Sequence, residues 1–392
     1  MKLILLSIFI IFAFSSAVMS QFYTNLEVNS ELDDNVFRAP EPTEDFISNF
    51  SADIGYRFNN TDLQINYNGN FIFFRSLKER NLSLHRLELN TYYSFGKEDL
   101  HTIFLGVNGL TRIDGDEYKE YDYNQLYAYA NIRFDLESIF IKTGYNFRFR
   151  DYMNFSELNN VRHFLFLQFN KSFETRTTAI MEANLGYKAF TTPISYTTLE
   201  GNIRSGGGNG PGSGMLYNSS YTGTVLSAPP MGQFILIGRI SQSIVEKLGI
   251  FVQYRRQINL SDQITSITGN NYYQDEELFD DPFSYEGKEI SSQLTWIMPW
   301  SMRLQIGGSV TDKSYINELA YTSTIDSVGS GGQRIDNQNS LFLNLTKTFN
   351  ITGTWLKALT LNIYLDYANN ESNSYWYNYK NRLIGGSIQW RF

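Results

Sequence analysis

The sequence predicts an all-β fold: a transmembrane antiparallel up-and-down β-barrel of about 16 strands, with about 14 as the alternative, after a cleaved signal peptide. Three observations predict it. Apolar residues recur at every second position through most of the chain. The alternating stretches are long enough to cross a bilayer, and short and long connections take turns between them.

The N-terminus comes first. Lys2 precedes Leu3 to Phe14, an apolar stretch broken only by Ser7, and small residues follow at Ser15, Ser16 and Ala17. A charged start, a short apolar core and small residues at a cut site read as an export signal over 1–20. The run is shorter than the roughly 20 apolar residues of a membrane helix. Cleavage after Ser20 would leave Gln21 as the mature start, with 21–392 as the barrel; a cut after Ala17 is the alternative. No Cys follows the apolar core, so a lipoprotein is not expected.

The body then alternates. Leu26, Val28, Ser30 and Leu32 form a weak first strand. Leu63, Ile65, Tyr67, Gly69, Phe71 and Phe73 interleave with Gln64, Asn66, Asn68 and Asn70. Leu87, Leu89, Thr91, Tyr93 and Phe95 repeat the pattern, as do Ile139, Ile141, Thr143, Tyr145, Phe147 and Phe149, then Leu359, Leu361, Ile363, Leu365 and Tyr367. Period-2 alternation gives a strand one apolar and one polar face. These strands run about 10–13 residues, near the 9–11 that cross a bilayer at a tilt, whereas soluble strands average about 5–6. Closure follows, because an open edge in hydrocarbon leaves backbone groups unpaired.

Short links are expected near 59–61, 96–99, 135–137, 171–176, 245–249, 299–301 and 350–356. Longer ones are expected at 76–81, 113–120, 151–158, 191–231, 261–287, 313–334 and 368–379. Short turns belong on the periplasmic side and long loops outside, which brings both termini to the periplasmic side.

Composition fits and excludes. Aromatics are 16% and charged residues 18%, below the roughly 25% charged of a soluble domain. A mean hydropathy of −0.30 with no long internal apolar run excludes a helical membrane bundle. The absence of Cys excludes disulfides, Cys-ligated metals and iron–sulfur clusters, and three His make a His-rich metal site unexpected, so no cofactor is expected. The net charge of −8 gives no sign of a nucleic-acid partner.

The last segment, Ile384, Gly386, Ile388, Trp390 and Phe392, ends on Phe with an aromatic residue two positions before it. This resembles the C-terminal signature of bacterial outer-membrane β-barrel proteins, which their assembly machinery reads. The resemblance covers about ten residues, to a porin-like class and no narrower family. It implies Trp390 and Phe392 as the assembly signal, outer-membrane lipid and the barrel-assembly machinery as partners, and a bacterial outer-membrane location. A homo-oligomer stays open. Trp296, Trp300, Trp355, Trp376, Tyr377 and Trp390 fall near strand ends, as interface girdles do.

Parity assigns the polar face to the lumen. That places Arg57, Arg86, Arg133, Lys142, Arg148, Arg150, Arg162, Lys188, Arg239, Arg255 and Arg303 as pore-lining residues, against Asp53, Glu88, Glu182, Glu289 and Asp366. A basic lumen favours anions. Phe164, Phe166, Ile235 and Ile237 share this parity and argue against a wide pore. The glycine-rich stretch Gly206–Gly214 in the longest loop reads as a constriction or as a flexible surface loop. Asp275, Glu276, Glu277, Asp280 and Asp281 read as a solvated acidic loop, and so do Asp114, Asp116 and Glu117. Ser83 and His85 share one face as outer-membrane phospholipases place such a pair, with no Asn or Asp evident to orient the imidazole, so an enzyme is not expected.

The expectation is therefore a porin-like channel passing small hydrophilic solutes by diffusion. The alternatives are a barrel anchoring a surface or secretion assembly through loops 191–231, 261–287 and 313–334, or a transporter of apolar substrates.

Overall fold

The structure, a computed structural model, describes residues 21–58, 61–192, 194–195, 225–226, 230–261, 280–352 and 355–392. The signal segment 1–20, the stretch Gly206–Gly214, and Asp275, Glu276 and Glu277 lie outside these residues. The strands in chain order are β1 (Phe22–Asp33), β2 (Asp45–Arg57), β3 (Gln64–Phe74), β4 (Leu82–Phe95), β5 (His101–Asp114), β6 (Tyr123–Leu136), β7 (Ile139–Tyr152), β8 (Asn160–Ser172) and β9 (Thr177–Phe190). After a two-residue pairing of β10 (Ile194–Ser195) with β11 (Val225–Leu226) come β12 (Met231–Val245), β13 (Leu248–Asn259), β14 (Tyr285–Met298), β15 (Met302–Leu319), β16 (Gln333–Asn350), β17 (Ala358–Ser372) and β18 (Tyr379–Arg391).

All but β10 and β11 form one closed barrel of 16 antiparallel strands in up-and-down order. The weak first strand is real, because it closes the seam: Leu26 pairs with Trp390 of β18 and with Ala52 of β2. Each backbone group along that seam thereby gains a partner that lipid could not supply. No helix among the described residues is long and apolar enough to cross a membrane.

The two barrel ends differ, and we call them the turn end and the loop end. Turn-end links are tight and contain left-handed backbone at Gly96, Glu98, Asp99, Glu137, Arg176, Trp300 and Ser301. Such positive φ values match the turn to the right-handed twist of the flanking strands. At the loop end β15 and β16 extend well into the segment expected to be a loop at 313–334, with a register shift between Ser314 and Leu319, and leave 320–332 as the connection. The inward face of these extra residues is covered by packed side chains, so the strands continue past the apolar band.

Alternation decides the faces. Ile65, Phe71 and Phe73 on β3, Leu87 and Leu89 on β4, and Ile363 and Leu365 on β17 are exposed outward. Gln64, Asn66, Asn68 and Asn70 point to the interior with their cross-strand partners Glu88 and Asp53. Buried apolar residues gather inside the loop end instead of in a central core. Val36, Ile47, Ile72, Phe74, Leu82, Leu110, Tyr121, Tyr123, Tyr152 and Leu158 form one cluster under the short outer loops. Arg80 sits in it with no exposed surface, its guanidinium 4.5 Å from the Phe37 ring centroid and 5.4 Å from that of Tyr118. Tyr377, expected in an aromatic girdle, belongs to this interior layer: it is buried with the guanidinium of Arg334 over its ring.

Candidate functional site: the lumen wall

Register places every cation singled out in the sequence on the inner face. Arg57 pairs with Gln64 and Arg86 with Asn68. Arg133 lies opposite Lys142, Arg148 opposite Arg162, and Arg162 opposite Lys188. Arg150 lies opposite Gln125, Arg239 opposite Gln253, Arg255 opposite Glu289, and Arg303 opposite Ile297.

Their surroundings differ. Arg148, Arg162 and Lys188 form a row of like charges on adjacent strands, an arrangement that repels unless counter-charges or rings intervene. Here they do. The Arg162 guanidinium stacks 4.8 Å from Phe283, Arg148 donates to Asn160 Oδ1 at 3.0 Å, and Lys188 pairs with Asp281. Arg150 is buried, stacks 4.1 Å from the Tyr123 ring and donates to Gln125. Arg133 pairs with Asp135 at 3.0 Å. Arg239 and Arg255 donate to Gln253 and Gln257. Arg57, Arg86, Lys142 and Arg303 have no carboxylate partner among the described residues.

The interior holds more carboxylates than the sequence reading assigned to it. Glu27, Glu31 and Asp33 line β1, Asp45 and Asp53 line β2, and Asp366 lies on β17, all on one side of the barrel. The Tyr364 hydroxyl donates to Glu31 at 2.6 Å, and Asn25 donates to Asp53 at 3.1 Å. The cations of β6 to β13 face them across the lumen. The wall is therefore polarised, with one acidic and one basic side, where the sequence suggested a basic surface. The outward face of β1, Phe22, Leu26, Val28 and Leu32, is interrupted by Thr24 and Ser30, which weakens the pattern that would assign its acids to the interior.

The connection from β13 to β14 brings a second correction. Asp280 and Asp281, expected in solvent, lie on the inner wall. Asp280 pairs with Lys313 of β15 and accepts the Tyr315 hydroxyl at 2.5 Å, while Asp281 pairs with Lys188 of β9. Phe283 between them has no exposed surface and packs with Met231 and Phe164. Burial raises the Asp280 carboxyl, but Lys313 and Arg334 outweigh it and hold the group below its ordinary value. Residues 280–284 thus form a strap along the wall from β9 to β15. The loop 191–231, read either as a lumen constriction or as a surface loop, lies mostly outside the described residues. The pairing of Asp281 with Lys188 spans 93 positions and leaves no local trace in the sequence.

Asp114, expected with Asp116 and Glu117 in solvent, is also buried, bonded to Arg112 at 2.9 Å; Asp116 remains exposed beside Lys119. Farther round, Arg334 donates to Glu318 at 2.9 Å, pairs with Asp336, and lies between the rings of Tyr315 and Tyr377.

His85 and Ser83 face outward. The Tyr67 hydroxyl takes the His85 Nδ1 at 2.9 Å and Phe71 packs edge-on against the imidazole, so the ring is committed to an aromatic contact. Among the described residues no group of three or more His, Asp or Glu converges as a metal site. Phe392 is fixed by a face-to-face stack on Trp355 at 4.8 Å.

No family model and no curated protein sequence matches the chain. Several solved structures are similar in architecture. OprD of Pseudomonas aeruginosa aligns with 8% identity and a TM-score of 0.46 over 95% of both chains. OpdK of the same organism, solved with vanillate, gives 8% identity and 0.47 over 95% of this chain and 99% of that one. The outer-membrane expressed OmpT of Vibrio cholerae gives 11% identity and 0.41 over 95% and 97%.

Proposed function

We propose that this chain is a porin-like channel of the bacterial outer membrane, through which small hydrophilic solutes diffuse with a preference for anions. One observation carries the proposal: a closed 16-stranded barrel whose outward face is largely apolar and whose inward face carries amides, hydroxyls and charges. Barrels of about 16 strands are wide enough for an aqueous lumen, whereas about 8 strands fill their own interior. An exposed apolar band on this scale needs lipid, not water, around it. The basic side, with Lys142 on β7 and, beyond it, Arg303 on β15 lacking a carboxylate partner among the described residues, supports the anion preference. The acids of β1, β2 and β17 moderate it. Charge lining of one sign sets the sign of the favoured ion.

The test is single-channel conductance of the mature protein in a planar bilayer, with the reversal potential read across a salt gradient. Stable steps with an anion-favouring reversal are expected. Cation-favouring steps keep the channel and overturn the selectivity.

A second reading rests on the packed layer at the loop end, where Arg80, the apolar cluster and the 280–284 strap narrow the interior. On that reading the barrel anchors a surface assembly. A folded barrel that carries no current would support it.

A further inference from the structure

At the turn end the inner wall is dented by a recess of about 330 Å3 lined from β9, β12, β13 and β14. Its floor is hydroxyl and amide: Thr178, Ser241, Thr295 and Gln293, with Phe251 on one side. Gly249 makes the dent. A Cβ there would meet nothing nearer than the Gln242 carbonyl at 3.5 Å, so the space above it is lumen, not packing. Arg176, from the tight turn between β8 and β9, closes the rim.

Two features set what such a recess would hold. Hydrogen-bonding groups are in surplus: Gln293 donates to Thr295 at 2.9 Å, while the Ser241 hydroxyl and the Arg176 guanidinium bond to no other described side chain. The local charge is positive. Arg239 lies 4.6 Å over the Phe251 ring, and Arg303 follows on β15. The inward positions between them are Ser241, Ser243, Gly249, Gln293, Thr295, Ile297 and Gln305, with no carboxylate. A wall of hydroxyls and amides exchanges hydrogen bonds with a polyol, a ring edge packs against its C–H groups, and guanidinium takes a carboxylate as a two-point partner. The volume is at the small end of ligand sites.

Resting on the channel reading above, we propose that this recess is a binding subsite at the turn-end mouth for a monosaccharide-sized polyol bearing one carboxylate, that is, a sugar acid. Arg176 holds the carboxylate, Ser241, Thr178, Thr295 and Gln293 hold the hydroxyls, and Phe251 flanks the carbon chain. A solute leaving the lumen pauses there.

The test uses gluconate as probe, with glucose and acetate as its two halves, added at the turn-end side of single channels in a planar bilayer. Gluconate should interrupt the current with resolved blocks, and glucose and acetate should block at least tenfold more briefly. Arg176→Gln should shorten the gluconate block at least tenfold, and Gly249→Leu, which fills the dent, should abolish it. Gluconate blocking no longer than acetate, or both variants blocking as the wild type does, overturns the subsite while leaving the channel standing. Should the folded barrel carry no current, the channel reading falls by itself. The recess is then judged by calorimetric titration of gluconate into the detergent-solubilised protein: Arg176-dependent heat supports it, and its absence overturns it.

Discussion

The strap at 280–284 can be released by one atom-sized change. Asp280→Asn removes the carboxylate that neutralises Lys313, whose side chain is only 11% exposed, and weakens the acceptor of the Tyr315 hydroxyl. Breaking a buried ion pair from one side costs about 3–5 kcal/mol, because the remaining charge stays buried without compensation. At about 1.4 kcal/mol per decade, that raises the population of the undocked strap by roughly two to three and a half decades. The chain has no Cys, so a single reporter thiol is unambiguous. Ser284 is buried and its backbone amide binds the Asp281 carbonyl at 2.9 Å, which makes Ser284→Cys a sensor of docking. In the folded barrel, maleimide should modify this thiol at least about a hundredfold faster in the Asp280→Asn background. Adding Lys313→Met should bring the rate back down, since the stranded charge is gone. A rate changed by less than about threefold, or one that Lys313→Met fails to restore, would refute the assignment of the ion pair as the latch.

Four other outcomes follow from the same geometry. Asp280 is held below its ordinary value, so the latch is at full strength above the ordinary Asp value of about 3.9 and is lost as pH falls through the lower folded value; conductance should be constant between about pH 7 and pH 5 and rise only below about pH 4. Ile363→Arg, outward near the middle of β17, should destabilise the barrel in lipid by about 2–4 kcal/mol, while its inward neighbour Asn362→Arg should be nearly neutral; reversed urea midpoints would overturn the assignment of faces. Arg334→Met strands the buried Glu318 and Asp336 and should cost about 3–5 kcal/mol, read as a lower temperature of heat-induced unfolding, with Arg334→Lys intermediate because it keeps charge without the fork. Trp355→Ala removes the stack on Phe392, worth about 0.5–1.5 kcal/mol, and should lower stability slightly; Phe392→Ala should instead cut the yield of assembled barrel in cells, and equal yields for the two would leave Phe392 a packing residue only.

The strands were legible because a barrel wall obeys a local rule. At Leu63 to Phe73 or Ile139 to Phe149 the lipid side and the lumen side alternate residue by residue, and neighbouring strands need only follow in order. The connections alternate in length for the same reason, since one end is pulled tight and the other is free to elaborate. What stayed hidden depends on contacts between distant segments. Asp280 and Asp281 sit in a loop without periodicity, and only the folded chain brings them to Lys313 and Lys188. Tyr377 looks like any interfacial aromatic until Arg334 is seen against it. Arg112 and Asp114 alternate correctly, yet Asp114 reads as a loop acid because the strand outlasts the apolar band. In each case the loop end uses inward parity for packing, a purpose to which a one-strand pattern is blind.

Up-and-down order has a further consequence for charge. When every strand lies beside its chain neighbour, position in the sequence becomes angle around the barrel. The acids of the N-terminal strands, Glu27, Glu31, Asp33 and Asp53, therefore meet Asp366 from the C-terminal strands across the β1–β18 seam, and together they form one wall. The cations from Arg133 to Arg255 occupy the middle of the chain and so the opposite wall. Arg57 and Arg86 stand on the acidic side, where Asp53 and Glu88 are near in register. A net charge of −8 thus says little about the lumen: charges of opposite sign are separated across it. On the proposed channel reading, a solute in the lumen meets a transverse field, which orients a dipole and draws an ion to one side. The sugar acid proposed for the turn-end recess is an anion, so the field draws it toward the wall on which Arg176, Arg239 and Arg303 lie.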